Sequence, residues 1–188
     1  MGKILSVNGS PRKNGNTSLM LQTVLEACKG HDTEMYQAGG NPVQGCKACG
    51  GCGSHVGRCT QDDWFNELYS KMAKADAIIL GSPTYVADVT PEVKAVIDRA
   101  CYVSRRDNMR FSRKIGASVT AARRAGSIQT LDSINHFFFI SDMIVPGSNY
   151  WNMSLCKEAG GYEQDKEGIA TMHRLGENIA WLLEKLKA

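Results

Sequence analysis

The stretch Lys3-Ile4-Leu5-Ser6-Val7-Asn8-Gly9-Ser10-Pro11-Arg12-Lys13-Asn14-Gly15-Asn16-Thr17-Ser18 decides the fold of this chain. Ile4, Leu5 and Val7 form a short apolar run that reads as a buried strand. Gly9 to Ser18 breaks that run with glycine, serine, threonine and asparagine. Met20, Leu21, Val24, Leu25 and Cys28 then recur at three- and four-residue steps, the period of an amphipathic helix. A strand, a polar loop and a helix start together make an anion site, because free backbone N–H groups and the positive helix end face the loop. Hydroxyls of Ser10, Thr17 and Ser18 can donate to phosphate oxygens, and Arg12 adds charge. An ordinary capped turn is the competing reading. Neither the Walker A pattern nor G-x-G-x-x-G is present, so a single terminal phosphate fits this loop better.

Outward from this unit the pattern repeats. Thr33 to Gln37 reads as a weak second strand. Asp62 is placed to cap a helix with the apolar stripe Phe65, Leu68, Tyr69 and Met72. Ala77-Ile78-Ile79-Leu80 is an unbroken apolar run, as expected of a third strand covered on both faces. It ends in Gly81-Ser82-Pro83-Thr84-Tyr85-Val86. Thr90 then caps a helix with Pro91 at its first position and Val93, Val96, Ile97, Ala100 and Cys101 inside. Lys114 to Thr120 is a fourth strand, followed by a loop to Ser127 that holds Arg123, Arg124 and Gly126. The next helix carries Ile128, Leu131, Ile134 and Phe138. Its end, Phe137 to Ile140, is apolar all round and reads as buried on more than one side, as at a subunit contact. Met143 to Pro146 starts a fifth strand, and a last helix carries Ile169, Met172, Leu175, Ile179, Leu182, Leu183 and Leu186.

The order βαβαβαβαβα predicts an α/β domain over residues 1–188, a doubly wound five-stranded parallel sheet with right-handed crossovers. In the flavodoxin-like order 2-1-3-4-5 the switch point falls between strands one and three, and ligand binds beyond their carboxyl ends. The loops after strands one, three and four, and a cysteine-rich loop over residues 38–61 after strand two, are expected to converge on that rim.

The cysteine-rich loop contains Cys46, Cys49, Cys52 and Cys59, spaced C-x2-C-x2-C-x6-C. Gly45, Gly50, Gly51, Gly53 and Gly57 permit tight coiling, which suits one polynuclear centre held by four thiolates. Zinc, which more often takes two separated pairs, and unligated thiols remain the alternatives. Disulfides do not suit a reducing compartment. Cys28, Cys101 and Cys156 read as small buried apolar residues. His31, His55, His136 and His173 are scattered and form no catalytic pairing; His55, inside the cysteine loop, is either a nearby proton donor or an exposed loop residue. Lys47 and Arg58 either offset charge on a metal centre or are solvated, and the run Arg105, Arg106, Arg110, Arg113 and Lys114 either meets an acidic electron donor or a cofactor phosphate or is a solvated face.

The 188 residues carry a net charge of +3, too mild to mark a nucleic-acid partner. No apolar run reaches membrane-spanning length and the first residues lack a signal-peptide pattern, so a soluble, cytoplasmic protein is expected.

Three segments carry a family resemblance. Gly9 to Thr17 resembles the FMN phosphate loop of the NADPH-dependent FMN reductase superfamily, Gly81 to Tyr85 its flavin-ring loop, and Val93-Lys94-Ala95-Val96-Ile97-Asp98-Arg99 the helix that follows. With the cysteine motif added, the chain resembles the iron–sulfur flavoproteins, which bind FMN and one 4Fe–4S cluster. That resemblance implies that Ser10, Arg12, Asn16, Thr17 and Ser18 hold the FMN phosphate. It places Pro83, Thr84, Tyr85 and Val86 along the isoalloxazine, and Thr120, Ala121 and Gly126 on the far side. It makes Cys46, Cys49, Cys52 and Cys59 the cluster ligands. The strand-four loop departs from the glycine-rich form of relatives, since it reads Thr120-Ala121-Ala122-Arg123-Arg124-Ala125-Gly126-Ser127.

The function so implied is an electron-transfer flavoprotein or oxidoreductase. It takes electrons from a ferredoxin-like donor, passes them to a small acceptor, and works as a homodimer or homotetramer. The alternative is an NAD(P)H-dependent FMN or quinone reductase without a cluster. A third reading, a non-enzymatic regulator that associates through Phe137 to Ile140, belongs to another class.

Overall fold

A computed structural model describes residues 1–187, and side chains as far as Leu186. Its strands are β1 (Lys3–Asn8), β2 (Asp32–Gln37), β3 (Ala77–Pro83), β4 (Ile115–Ala122) and β5 (Met153–Leu155). Its helices are α1 (Asn16–Ala27), α2 (Phe65–Lys74), α3 (Pro91–Arg106), α4 (Ser127–Ile140) and α5 (Lys166–Lys187). The strands form one parallel sheet in the order β2-β1-β3-β4-β5, as expected. Leu5 sits opposite Glu34 on one side and Ile78 on the other, which sets the register of the central strands.

Alternation along the strands sorts the core into two layers. Leu5, Val7, Ile78 and Leu80 face the stripes of α2, α3 and α4, including Phe65, Leu68, Val96 and Phe138. Ile4, Ile79, Ala117 and Val119 face α1 and α5, where Met20, Val24, Leu175 and Ile179 pack. Each of these side chains other than Ala117, fully buried, contributes roughly 1.5–3 kcal/mol. Close helix packing needs glycine at two places. A Cβ at Gly176 would lie 2.3 Å from the Val24 carbonyl oxygen, and one at Gly116 would lie 2.6 Å from the Phe138 ring.

Thr90 caps α3 as expected: its hydroxyl accepts from the Val93 N–H, with Pro91 next in line. Asp62 does not cap α2. Trp64 takes the N-cap position, with no side-chain hydrogen bond to the helix, and Asp62 pairs with Arg58 at the surface. The neighbouring Asp63 turns inward instead. The fifth strand also differs from expectation. Ile144 makes a single bridge to Ile115, and the paired strand comes later, at Met153–Leu155 beside Thr120–Ala122. Pro146 has no N–H to continue the ladder, so the chain leaves the edge and returns after the turn around Ser148.

The Phe137 to Ile140 segment is split, with Phe137 and Phe138 buried and Phe139 and Ile140 exposed. Leu186 is likewise exposed. Cys28 and Cys156 are buried and Cys101 is half-buried. Among the described residues, no helix is long and apolar enough to cross a membrane.

Candidate functional site

The rim at the carboxyl ends of β1, β3 and β4 is held together by backbone groups and one buried hydroxyl. Gly9 N–H donates to the Gly81 carbonyl at 2.8 Å, and the Thr90 hydroxyl donates to the Gly9 carbonyl at 2.9 Å. Thr84 N–H donates to the Ala121 carbonyl at 2.8 Å, joining the loops after β3 and β4.

In the loop after β1, Asn8 Oδ1 accepts from Ser10 N–H at 3.1 Å, and Ser10 Oγ accepts from Arg12 N–H at 3.2 Å. Gln37 Nε2 donates to the carbonyls of Ser10 and Gly39, both at 2.7 Å, and Asn8 Nδ2 donates to Gln37 Oε1. The chain after β2 therefore lies hard against Ser10: a Cβ at Gly39 would come 2.3 Å from the Ser10 carbonyl carbon. Arg12 is exposed, while Thr17 and Ser18 are buried. The N–H groups of Asn16, Thr17 and Ser18 open α1, where no preceding helical turn supplies acceptors. These donors, the Ser10 hydroxyl and the Arg12 guanidinium make a set that suits a phosphate dianion. The Ser18 hydroxyl is turned away from the loop and donates to Met35 Sδ at 3.7 Å. The Asn16 amide reaches the other side of the rim, donating to the Glu158 carbonyl and accepting from Tyr162 N–H.

The loop after β3 is a two-residue turn. Tyr85 and Asp88 exchange backbone hydrogen bonds of 2.8 and 3.0 Å, with Val86 and Ala87 between them at φ +51° and +59°. Both central residues are left-handed, as in the turns that favour Asn-Gly, and a β-branched residue there is strained. Val86 is fully exposed and Tyr85 half-exposed. Gly126, at φ +87°, packs on this turn, and a Cβ there would lie 2.9 Å from Ala87 Cα. Thr120 is buried beneath: its hydroxyl donates to the Ser82 carbonyl and meets the Thr84 hydroxyl at 3.2 Å, which accepts from Thr130. Ala121 is buried on the opposite face of β4, while Arg123 and Arg124 are exposed.

The cysteine loop does not form a fourth wall of this rim. It leaves the carboxyl end of β2 and runs down against α3. Cys46, Cys49, Cys52 and Cys59 line one cavity of ≈ 150 Å³ together with Arg99, Tyr102, Val103 and Arg106. At 1.5 Å per residue, Arg99 and Arg106 lie about 12 and 22 Å along α3 from Pro91 at the rim. All four thiols are free; Cys46 and Cys49 are exposed, Cys52 and Cys59 half-buried. Gly50, at φ +72°, opens a 3-10 turn over Gly51–Gly53 that sets the backbone between Cys49 and Cys52. The Thr60 hydroxyl, 3.5 Å from Cys49 Sγ, holds that thiol below its ordinary pKa, with help from the Gly51 N–H. Cys59 is held through its backbone: its N–H donates to Asn66 Oδ1 at 2.8 Å and its carbonyl accepts from Asn66 Nδ2. His55 and Lys47 are exposed, and Arg58 is paired with Asp62. Among the described residues, no three His, Cys, Asp or Glu side chains stand in a metal-holding group. The thiols share a cavity rather than a coordination point, and four free cysteines lining one cavity are the donor set that iron–sulfur clusters use.

Several of these partners carry no local signal in the sequence. Gln37, Asn66 and Thr130 are ordinary polar residues until the fold assembles them. Arg99 had a readable sign: it lies three residues after Val96 and four before Val103, on the buried stripe of α3.

A family model described as NADPH-dependent FMN reductase matches residues 2–158. An iron-sulfur flavoprotein of Methanocaldococcus jannaschii is 32% identical over 194 residues, covering 98% of this chain and 99% of the relative. An iron-sulfur flavoprotein of Methanosarcina thermophila is 33% identical over 195 residues, covering 98% and 97%. Among solved structures, a WrbA-like flavodoxin from Agrobacterium tumefaciens superposes with a TM-score of 0.67 at 16% identity, covering 98% of this chain and 99% of that one. At that identity the likeness speaks to the fold.

Proposed function

This chain belongs to the NADPH-dependent FMN reductase family and is an FMN-dependent oxidoreductase, and on that premise we propose that it also carries a 4Fe–4S cluster and passes electrons from a ferredoxin-like donor to a small acceptor. The observation that carries this reading is the cavity walled by four free cysteines in a chain that also has the phosphate-suited rim. When bound, FMN and a cluster interconvert two-electron and one-electron chemistry.

The residues of the chain hold and orient these groups. Ser10, Arg12 and the N–H groups of Asn16, Thr17 and Ser18 receive the FMN phosphate. Pro83, Thr84, Tyr85 and Val86 lie along the ring, with Thr120 and the Ala121 backbone, which holds Thr84, on the far side and Gly126 fixing the turn. Cys46, Cys49, Cys52 and Cys59 ligate the cluster. Within one chain the cysteine cavity is offset from the rim along α3. That offset supports a homodimer or homotetramer in which the cluster of one subunit faces the flavin of another; the reducing cytoplasm suits the four free thiols.

Anaerobic purification with iron, acid-labile sulfide and FMN measured per chain tests the reading. About four iron, four sulfide and one FMN are expected, and Cys49→Ala should lose the iron while keeping the fold and the FMN. FMN without iron and sulfide would move the assignment to the second reading, an NAD(P)H-dependent FMN or quinone reductase, which the family match itself favours. That reading expects rapid flavin reduction by NADPH.

A further inference from the structure

Arg99 is the bulkiest of the fully buried side chains and lines the cysteine cavity. Its terminal nitrogens are fully engaged. Nη1 donates to Asp63 Oδ2 at 2.7 Å and to the Gln44 carbonyl at 3.2 Å. Nη2 donates to Asp63 Oδ1 at 2.7 Å and to the Gln61 carbonyl at 3.4 Å. The guanidinium also stacks over the Phe65 ring, 4.2 Å from its centroid. Gln44 precedes Cys46 by two residues and Gln61 follows Cys59 by two, so one side chain fastens both ends of the cysteine loop. Gln61 Nε2, which donates to the Gly45 carbonyl at 3.0 Å, closes the same neck.

One donor is left over. Arg99 Nε is fully buried and meets no acceptor within hydrogen-bond geometry. The Cys59 thiol, on the wall of the same cavity, interacts with this guanidinium and also receives Gln61 Nε2 at 3.9 Å. A thiolate at Cys59 accepts a charge-assisted hydrogen bond from such a donor more strongly than the neutral thiol does. We propose that Arg99 is the positioning residue of the cluster site: it closes the loop neck and gives its spare N–H to the Cys59 thiolate, raising the reduction potential of the cluster. The inference rests on the cluster reading above. Hydrogen bonds to sulfur and local positive charge both stabilise the reduced, more negative cluster.

Arg99→Lys tests it, because lysine keeps the charge and can still meet Asp63 but loses the fork and the Nε–H. Wild type and variant are reconstituted anaerobically, and FMN, iron, sulfide and the cluster midpoint are measured. The variant is expected to keep FMN and to reduce less readily by about tenfold in the one-electron equilibrium, about 59 mV. A variant that holds four irons at the wild-type potential would overturn the role of Arg99 while leaving the cluster reading intact. Wild-type protein without iron and sulfide would overturn both. Should Arg99→Lys fail to fold, pulsed EPR on Arg58→Lys, Arg106→Lys protein carrying arginine labelled only in the guanidinium reads the contact directly. A nitrogen coupling to the reduced cluster is expected, and its absence refutes the proposal.

Discussion

Asp63 receives the Arg99 guanidinium through two parallel hydrogen bonds of 2.7 Å each, one to each carboxylate oxygen. Arg99 is completely buried in this pair and Asp63 partly so, with side-chain exposures of 0% and 22%. Replacing Asp63 with alanine leaves a buried cation without its partner, which costs about 3–5 kcal/mol. Urea unfolding of Asp63→Ala should show a loss in that range, and Asp63→Asn a smaller one. A loss of under about 1 kcal/mol would mean that the pair is compensated by water and is not a structural anchor.

Cys28 gives a pH signature. Burial pushes its thiol up to about 12, from 9.0. The unfolded chain therefore ionises this thiol first, and the stability it contributes is whole below pH 9 and falls as pH rises toward 12. The slope approaches about 1.4 kcal/mol per pH unit. Unfolding of wild type and Cys28→Ala, compared at pH 8 and pH 10.5, should show the variant losing less stability on the alkaline side. Parallel losses would mean that the thiol titrates normally.

Val86 and Ala87 occupy left-handed positions that suit asparagine and glycine. The double variant Val86→Asn, Ala87→Gly should stabilise the flavin-free protein by about 1–2 kcal/mol. Thermal unfolding measures the gain. If the strain keeps the turn poised for the isoalloxazine, fluorescence titration will show weaker FMN binding in the same variant. Unchanged affinity would remove that role from the turn.

Arg12 is exposed at the mouth of the β1–α1 loop. As a phosphate partner it should contribute roughly 1.5–3 kcal/mol to FMN binding, with an effect that salt weakens. Titration of Arg12→Ala with FMN and with riboflavin separates the cases. Loss confined to FMN assigns the guanidinium to the phosphate, and equal loss for both would place it elsewhere.

What the sequence determined by itself is the part written in local periodicity. Ile4, Leu5 and Val7 before Gly9, and the stripe Met20, Leu21, Val24 after it, dictate a strand and a helix wherever the rest of the chain goes. The apolar run Ala77 to Leu80 demands cover on both faces, and five such units leave little choice but a parallel sheet. The three rim loops were legible for the same reason, because a parallel sheet puts every strand's carboxyl end on one edge. Thr90 and Pro91 marked a helix start through contacts only three residues long.

The tertiary structure decided what depends on groups far apart in the chain. Asp63 and Arg99 are 36 residues apart, and nothing near either names the other. Asp62 and Asp63 look equivalent in sequence; packing sends one to solvent and the other inward. The edge strand moved to Met153–Leu155 because an edge needs only one partner and tolerates a gap at Pro146. The cysteine loop lies against α3 rather than at the rim because Arg99, buried in that helix, supplies donors that the carbonyls of Gln44 and Gln61 must meet once water is excluded.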